Sequence, residues 1–318
     1  MRLPRRGYGT EGLRVLAEGV TDAATLDAIL CDCAGFRLGP CELLDLIGLD
    51  VSHPVMESLY GQYYGEPRFR PQGLTRQMLS AGLLGKKSGR GFYSYDAAGK
   101  REQEPNTVAV AHDLPLPSSV WISQARPVLA QRVADLLQEH GALLETGARP
   151  SATALCIVTP LGDDTTICCV REQLDARHTI AIETLFNLHR RRVIMRNPAT
   201  DTAYLEMARS LFSSHGAEIS VIRDSSGLVA QRVVAHLINI ACDMAQQGIA
   251  RPADIDRAVV LGLAYPHGPL AWGDLLGPDT VLTILQALLA HSGDPRYRPS
   301  PWLTRRAALG LSLHHTED

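Results

Sequence analysis

The stretch GPCELLDLIGLD at residues 39–50 recurs 229 residues later as GPLAWGDLLGPD at residues 268–279. Downstream, EPRFRP at residues 66–71 is matched by DPRYRP at residues 294–299, one residue closer. Two further pairs keep the spacing of 229: Gly19 with Gly248, and Asp27 with Asp256. A period of this length is far too long for a solenoid. The sequence therefore predicts a duplicated domain with a different segment between its two copies.

The repeated motif is interpreted as structural, because both copies keep it. Its shared positions are Gly39, Pro40, Asp45, Gly48, Gly268, Pro269, Asp274 and Gly277. Gly-Pro predicts the start of a helix after a turn, with proline at the first helical position. Glu42 and Asp45 are expected in the first turn of that helix, where negative charge suits the helix dipole.

Composition indicates a soluble globular protein with room for two or three domains. The 318 residues are 45% hydrophobic and 20% charged, with a formal net charge of −3. That charge gives no reason to expect a nucleic acid or a membrane surface as partner. None of the seven cysteines forms a Cys-x-x-Cys pair, and the sequence predicts a reduced, cytoplasmic protein without a structural metal.

Both copies of the repeat have helical periodicity. Val229, Val233, Leu237, Ile240 and Met244 mark one face of a helix, which Gly248 is placed to end. A second helix is expected to start near Ala253. The first copy follows the same pattern before and after Gly19.

The middle of the chain has a different rhythm, in which short apolar runs alternate with helix-like stretches. The predicted strands are 120–122, 154–159, 179–183, 193–195 and 218–222, and the predicted helices are 128–140 and 203–215. This alternation predicts a parallel sheet with crossover helices. The fold is thus expected to be mostly α with a central α/β part. The expected domains are a helical domain at 1–100, a linker at 101–117, an α/β domain at 118–225 and a second helical domain at 226–318.

These residues resemble a known family, the 3-hydroxyacyl-CoA dehydrogenases. The resemblance is carried by GFRLGPCELLDLIG at residues 35–48 and GLLGKKSGRGFY at residues 82–93, which are similar to the family's C-terminal helical domain. The whole arrangement resembles the long bacterial 3-hydroxybutyryl-CoA and 3-hydroxyadipyl-CoA dehydrogenases of phenylacetate-type catabolism. In that resemblance, the middle segment is a reduced Rossmann-like domain between two duplicated helical domains.

The resemblance implies oxidation of an (S)-3-hydroxyacyl-CoA to the 3-oxoacyl-CoA, with NAD taking the hydride, in fatty-acid or phenylacetate-type metabolism. In the family, a histidine oriented by a glutamate takes the hydroxyl proton, and both lie on an NAD-binding Rossmann domain. We expect this chain to be the C-terminal portion, lacking that domain, and we assign it no catalytic residue. A separate NAD-binding domain or subunit is then an expected partner. A homo-oligomer, or pairing of the two fused copies with each other, is expected as well.

The middle segment departs from the family pattern at the positions that bind NAD and transfer the proton. A dinucleotide site needs a glycine-rich turn after its first strand, but residues 123–127 read SQARP. Aligning Asn197-Pro198 with the family's Asn-Pro pair puts Ile194 where the histidine would lie. In the second copy Gln231 stands where the family has an asparagine. We therefore predict that this chain binds no NAD and is inactive alone.

The loop at residues 82–91 is the remaining candidate for contact with the substrate. Lys86, Lys87, Ser88 and Arg90 could meet the phosphates of coenzyme A. The alternative is a turn that caps the domain, with glycines for tight geometry and solvated lysines. At the spacing of the repeat, the second copy offers only residues 311–318, which contain no glycine, lysine or arginine.

Two functions remain open from the sequence. The first is the portion of a 3-hydroxyacyl-CoA dehydrogenase that gives the substrate-side and dimerisation scaffold, with an acyl-CoA as substrate. The second is a stand-alone, non-catalytic acyl-CoA-binding or protein-interaction module that has lost the NAD domain.

Overall fold

The structure is a computed structural model that describes residues 3–102, 116–138, 142–213 and 216–317. The described residues divide into two compact units, with boundaries near residues 105 and 228. One unit is helical and contains both ends of the chain. The other contains a six-stranded sheet with three helices. The described helices include none that is long and apolar enough to cross a bilayer.

Ten α-helices build the helical unit. In the first segment they are α1 (Leu3–Ala17), α2 (Ala23–Asp32), α3 (Pro40–Ile47), α4 (Leu49–Gln62) and α5 (Gly73–Ser80). In the second segment they are α9 (Ala230–Gln246), α10 (Pro252–Leu263), α11 (Pro269–Leu276), α12 (Pro278–Ser292) and α13 (Pro301–Leu309). Helices α2 to α4 begin 229 residues before α10 to α12, and α5 begins 228 residues before α13. The predicted helices are thus confirmed, and α9 ends before Gly248 as expected.

The helix that starts at each Gly-Pro is capped by an aspartate from the preceding helix. Pro40 and Pro269 occupy the first helical position, as predicted. The Asp27 carboxylate accepts the backbone N–H groups of Cys41 and Glu42 at 3.0 and 2.8 Å. Asp256 does the same for the start of α11, with both distances 2.8 Å. These bonds satisfy donors that every helix leaves free at its N-terminus.

The predicted position of Asp45 in the first turn of α3 is wrong. Asp45 is the sixth residue of the helix, and its buried side chain binds backbone far downstream instead. The expected negative charge at the N-terminus comes from Glu42 and, more directly, from Asp27. The repeated aspartate therefore holds tertiary structure and does not serve the helix dipole.

The sheet unit has strand order β2-β1-β3-β4-β5-β6. Its elements are β1 (Val120–Ile122), α6 (Pro127–Gln138), β2 (Leu144–Glu145), β3 (Leu155–Val158), α7 (Thr165–Glu172), β4 (Thr179–Ile182), β5 (Arg191–Arg196), α8 (Thr202–Phe212) and β6 (Glu218–Arg223). The five predicted strands and two predicted helices are confirmed. The short strand β2 and helix α7 were not predicted. The core lies between one sheet face and the apolar sides of α6 and α8.

The expectation of a wholly parallel sheet is wrong at one pair of strands. Strand β5 runs antiparallel to β4, with Ala181 opposite Met195, whereas the other pairs are parallel. Only residues 183–190 connect β4 to β5. A parallel connection needs a crossover of a dozen or more residues, so this short loop forces the chain to turn back. Most of the predicted linker at 101–117, namely residues 103–115, lies outside the described residues.

Substituting Gly268 by alanine is expected to destabilise the helical unit. An alanine Cβ there would lie 2.3 Å from the Asp256 Cβ, so the cap of α11 must shift. Overpacking of this kind costs about 1–3 kcal/mol. Gly262→Ala, in α10 with nothing within 4 Å of its added Cβ, is the control and is expected to stabilise by about 0.5–1 kcal/mol. Urea unfolding followed by circular dichroism measures both, and equal stability of the two variants would refute the close-contact role.

Candidate functional site

A buried carboxylate joins the two helical segments. Helix α1 packs along α9, and Glu11 of α1 is fully buried in this contact. Its carboxylate lies 2.6 Å from the Arg232 guanidinium on α9, accepts the Tyr297 hydroxyl at 2.6 Å and lies 3.2 Å from Arg296. Arg232 also pairs with Glu18 at 2.6 Å. Each of these partners of Glu11 comes from the second segment.

The charge of Glu11 is maintained by its partners. Burial alone would raise the pKa of Glu11, but Arg296 and Arg232 outweigh it and hold this pKa well below its usual range. Burial lowers the pKa of the neighbouring His236 to about 3, so that imidazole is neutral at physiological pH. The network therefore balances one buried acid against two arginines.

Two arginines cross this contact in opposite directions. Arg68, in the first segment, donates to the Arg298 carbonyl of the second segment at 2.7 Å. Its counterpart in the repeat, Arg296, donates to the Pro67 carbonyl of the first segment at 3.2 Å. Both arginines are buried. The two segments therefore meet through an approximately two-fold, self-complementary contact.

A second pair of carboxylates holds the candidate loop, residues 82–91, against α3. Asp45 accepts the backbone N–H groups of Phe92 and Tyr93, both at 2.9 Å, and the Tyr95 hydroxyl at 3.1 Å. The Tyr93 hydroxyl donates to Asp27 at 2.8 Å, so the residue that caps α3 also anchors the end of the loop. Burial is the main cause that raises the pKa of both aspartates above its ordinary value.

The predicted substrate-binding residues lie together on this loop but differ in what they contact. Lys86, Lys87, Ser88 and Arg90 are all exposed. The Lys87 ammonium lies 2.6 Å from the Asp50 carboxylate. The Ser88 hydroxyl donates to the carbonyls of Gly85 and Arg90, and it accepts the N–H of Leu84, so it shapes the turn. Lys86 and Arg90 form no ion pair with any described residue. These two cations are the ones that a ligand phosphate could meet without breaking an existing contact.

The second segment builds the same clamp without the cations. Asp274 accepts the N–H of Leu313 at 2.6 Å, and the His314 ring bridges Asp274 and Asp256 at 3.1 and 2.9 Å. His314 thus takes the place that Tyr93 has in the first segment. The histidine near the C-terminus, which sequence gave no reason to single out, is therefore part of a structural clamp.

The residues that follow β1 do not fit the pyrophosphate of NAD. In a dinucleotide fold, that group needs free backbone N–H donors between the first strand and the next helix. Here the Ala125 N–H donates to the Ser123 hydroxyl at 3.2 Å, and that hydroxyl donates to the Glu172 carboxylate. A carboxylate beside the end of β1 repels a phosphate. Ile194 is fully buried in β5, and Asn197 is buried with its amide on the carbonyls of Ala176 and Thr179.

Sequence reasoning missed the buried network around Glu11 and the capping role of Asp27. The matched pair Asp27 and Asp256 was visible as part of the repeat, and that spacing was the available signal. Glu11 has no such signal, because the equivalent position in the second copy is Ile240. Gln231, at the family's asparagine position, is buried in α9.

Comparison with known proteins identifies the two helical segments. A family model described as 3-hydroxyacyl-CoA dehydrogenase, C-terminal domain, matches residues 6–95 and again residues 227–316. The 3-hydroxyadipyl-CoA dehydrogenase of Escherichia coli K12 is 34% identical over 96% of this chain and 58% of its own length. A probable 3-hydroxybutyryl-CoA dehydrogenase of Bacillus subtilis is 33% identical over 36% of this chain and 44% of its own length. The chain spans about half the length of the curated relatives it matches.

A solved structure agrees over nearly all of the chain. The crystal structure of 3-hydroxybutyryl-CoA dehydrogenase from E. coli K12 covers 97% of this chain at 30% identity and a TM-score of 0.77. This chain covers 59% of that one. The likeness therefore includes both helical segments and the sheet unit.

Replacing Glu11 by glutamine is expected to destabilise the protein by about 3–5 kcal/mol, because it leaves the buried Arg296 without its carboxylate. Glu18→Gln, at a 40% exposed side chain, is the control and is expected to cost less than about 1 kcal/mol. Urea unfolding at neutral pH compares the two. Equal losses would contradict a dominant role for Glu11.

The same substitution has an expected pH signature. Because the pKa of Glu11 is lower folded than unfolded, its stabilisation is complete above its unfolded pKa, about 4.3. It is then lost as the pH falls further. The Glu11→Gln variant should lose less stability than the parent between neutral and acidic pH. An unchanged slope would show that Glu11 does not carry this dependence.

Proposed function

The chain belongs to the 3-hydroxyacyl-CoA dehydrogenase family, and we propose that it supplies the substrate-side and pairing scaffold of such an enzyme. The proposed reaction converts an (S)-3-hydroxyacyl-CoA and NAD to the 3-oxoacyl-CoA and NADH. The proposed setting is fatty-acid or phenylacetate-type catabolism, in line with the names of the relatives. In this proposal the chain contributes binding and assembly, and the hydride chemistry belongs to another domain or subunit.

The observation that supports a substrate role is the exposed cationic loop of the first segment. Coenzyme A carries several phosphate groups, which lysine and arginine bind through charge-assisted hydrogen bonds. Asp45 fixes both strands next to the loop, so its cations are presented on a rigid support. Lys86 and Arg90 are proposed to contact the phosphates, with Lys87 held by Asp50 and Ser88 shaping the turn.

The pairing role is supported by the self-complementary contact of the two helical segments. We propose that these segments are duplicated copies of one domain and that the sheet unit is a reduced Rossmann-like domain. Pairing of the copies through Glu11, Arg232 and Arg296 then forms an internal pseudo-dimer within one chain. Such a pair exposes one candidate loop with cations and one equivalent surface without them.

NAD is proposed to bind elsewhere. It would accept the hydride from the hydroxyl carbon, and the Rossmann domain of the family provides its site. The contact between Ser123 and Glu172 supports a non-binding sheet unit, as does the buried Ile194. The chain's own contribution is therefore to bind the acyl-CoA and to hold the assembly together.

Coenzyme A affinity tests the loop. Lys86→Ala and Arg90→Ala are each expected to weaken binding about three- to tenfold, since each removes one solvent-exposed charge-assisted contact. Lys87→Ala should have a smaller effect, because Lys87 already pairs with Asp50. Arg257→Ala, at an exposed position of α10, is the matched control. Calorimetric titration measures all four, and loss in the control equal to that in the loop variants would refute the site.

Turnover tests the division of labour. The purified 318-residue chain is expected to show no oxidation of NADH with acetoacetyl-CoA, because it lacks a fitting dinucleotide turn and a proton-transfer histidine. Absorbance of NADH measures this directly. Turnover by the chain alone would overturn the scaffold proposal. Coenzyme A binding without any gain of activity on adding an NAD-binding subunit would favour the non-catalytic module.

A further inference from the structure

A cavity of about 310 Å³ lies in the helical unit where the two segments meet. It is separate from the candidate loop. Its polar lining comes from both segments: Glu66, Arg68, Asp243, Gln247 and Arg298. Apolar side chains, among them Phe69 and Met244, complete the wall. A volume of this size is at the lower end of the range for small-ligand sites.

The equivalent place on the other side of the internal repeat is filled by a side chain of the protein. There the Arg14 guanidinium donates to Asp294 and, at 2.8 Å, to Glu18. Its central carbon lies 5.7 Å from the centre of the Tyr297 ring, a cation–π distance. Three groups therefore hold this guanidinium: two carboxylates and one aromatic face.

All three of these groups have counterparts that line the cavity. At the spacings of the repeat, Asp294 corresponds to Glu66, Tyr297 to Phe69 and Glu18 to Gln247. Arg14 itself corresponds to Asp243, whose side chain is three atoms shorter along its stem and carries the opposite charge. The cavity is thus the binding place of an arginine side chain from which the arginine has been removed.

We propose that this cavity is a binding site for an alkylguanidinium group. Glu66 and Asp243 would accept its N–H groups, the Gln247 side-chain carbonyl would accept another, and Phe69 would lie under its plane. The alkyl stem would lie along Met244 and Ile240, which are buried at the cavity wall. This inference does not depend on coenzyme A binding or on the proposed reaction.

The charges around the cavity are compatible with a cation. Arg68 lies 3.0 Å from Glu66 and 2.9 Å from Asp243, so it shares both carboxylates. Arg298 is exposed and brings the second positive charge. On the Arg14 side the balance is the same, because Glu11, Glu18 and Asp294 face Arg70, Arg232 and Arg296. That side accepts a further guanidinium, and the cavity is expected to do so too.

Titration with n-butylguanidinium tests the site. Amide NMR shifts are expected to change at residues that line the cavity, among them Gln247, and to saturate. n-Butylammonium has the same charge and stem without the planar fork, and it is expected to bind at least about fivefold more weakly. Equal binding of the two cations would overturn the guanidinium assignment. No saturable shift with either would overturn the site itself.

A gain-of-affinity variant separates binding from folding defects. Gln247→Glu restores the carboxylate that Glu18 provides for Arg14, at an exposed position, and is expected to tighten n-butylguanidinium binding about threefold. Gln77→Glu, at an exposed position of α5, adds the same charge away from the cavity and should leave the affinity unchanged. Glu66→Gln is expected to weaken binding. The proposal fails if Gln247→Glu gains no more than Gln77→Glu does.

Discussion

The buried carboxylate of Glu11 is the interaction on which the helical unit depends. A charge in a protein interior is tolerated only when partners and hydrogen bonds replace its lost hydration. Here Arg232, Arg296 and the Tyr297 hydroxyl provide that replacement, and all three come from the other helical segment. Separation of the segments would leave several buried charges unpaired. The two segments therefore form one compact unit although more than a hundred residues separate them along the chain.

The same physical device, a buried carboxylate on backbone N–H groups, is used twice in each segment. Asp27 and Asp45 hold the first loop, and Asp256 and Asp274 hold the C-terminal stretch. The shared scaffold explains why the motif persists in both segments. The difference between the segments lies in what the clamp presents: exposed cations in one, and His314 in the other. A functional difference between similar segments therefore resides in the loops, which fold stability constrains least.

Much of the fold could be predicted from the sequence, because apolar periodicity and turn residues record local structure along the chain. The helix ending before Gly248, the helices starting at Pro40 and Pro269, and five of six strands are where the pattern put them. The antiparallel β5 escaped prediction, since a strand's direction depends on the length and course of its connection. Asp45 was misplaced for a similar reason: its partners, Phe92 and Tyr93, lie nearly fifty residues away.

By itself the sequence determined the repeat, the element types, the family and the absence of a glycine-rich turn after the first strand. These properties follow from residue identity and spacing, which need no knowledge of distant contacts. Only the tertiary structure decided which charges are buried together, which loop cations remain unpaired and where a cavity replaces Arg14. Those properties depend on atoms brought together from positions as far apart as Glu11 and Tyr297. The repeated motif set the architecture, and the differences between its two copies set where ligands can bind.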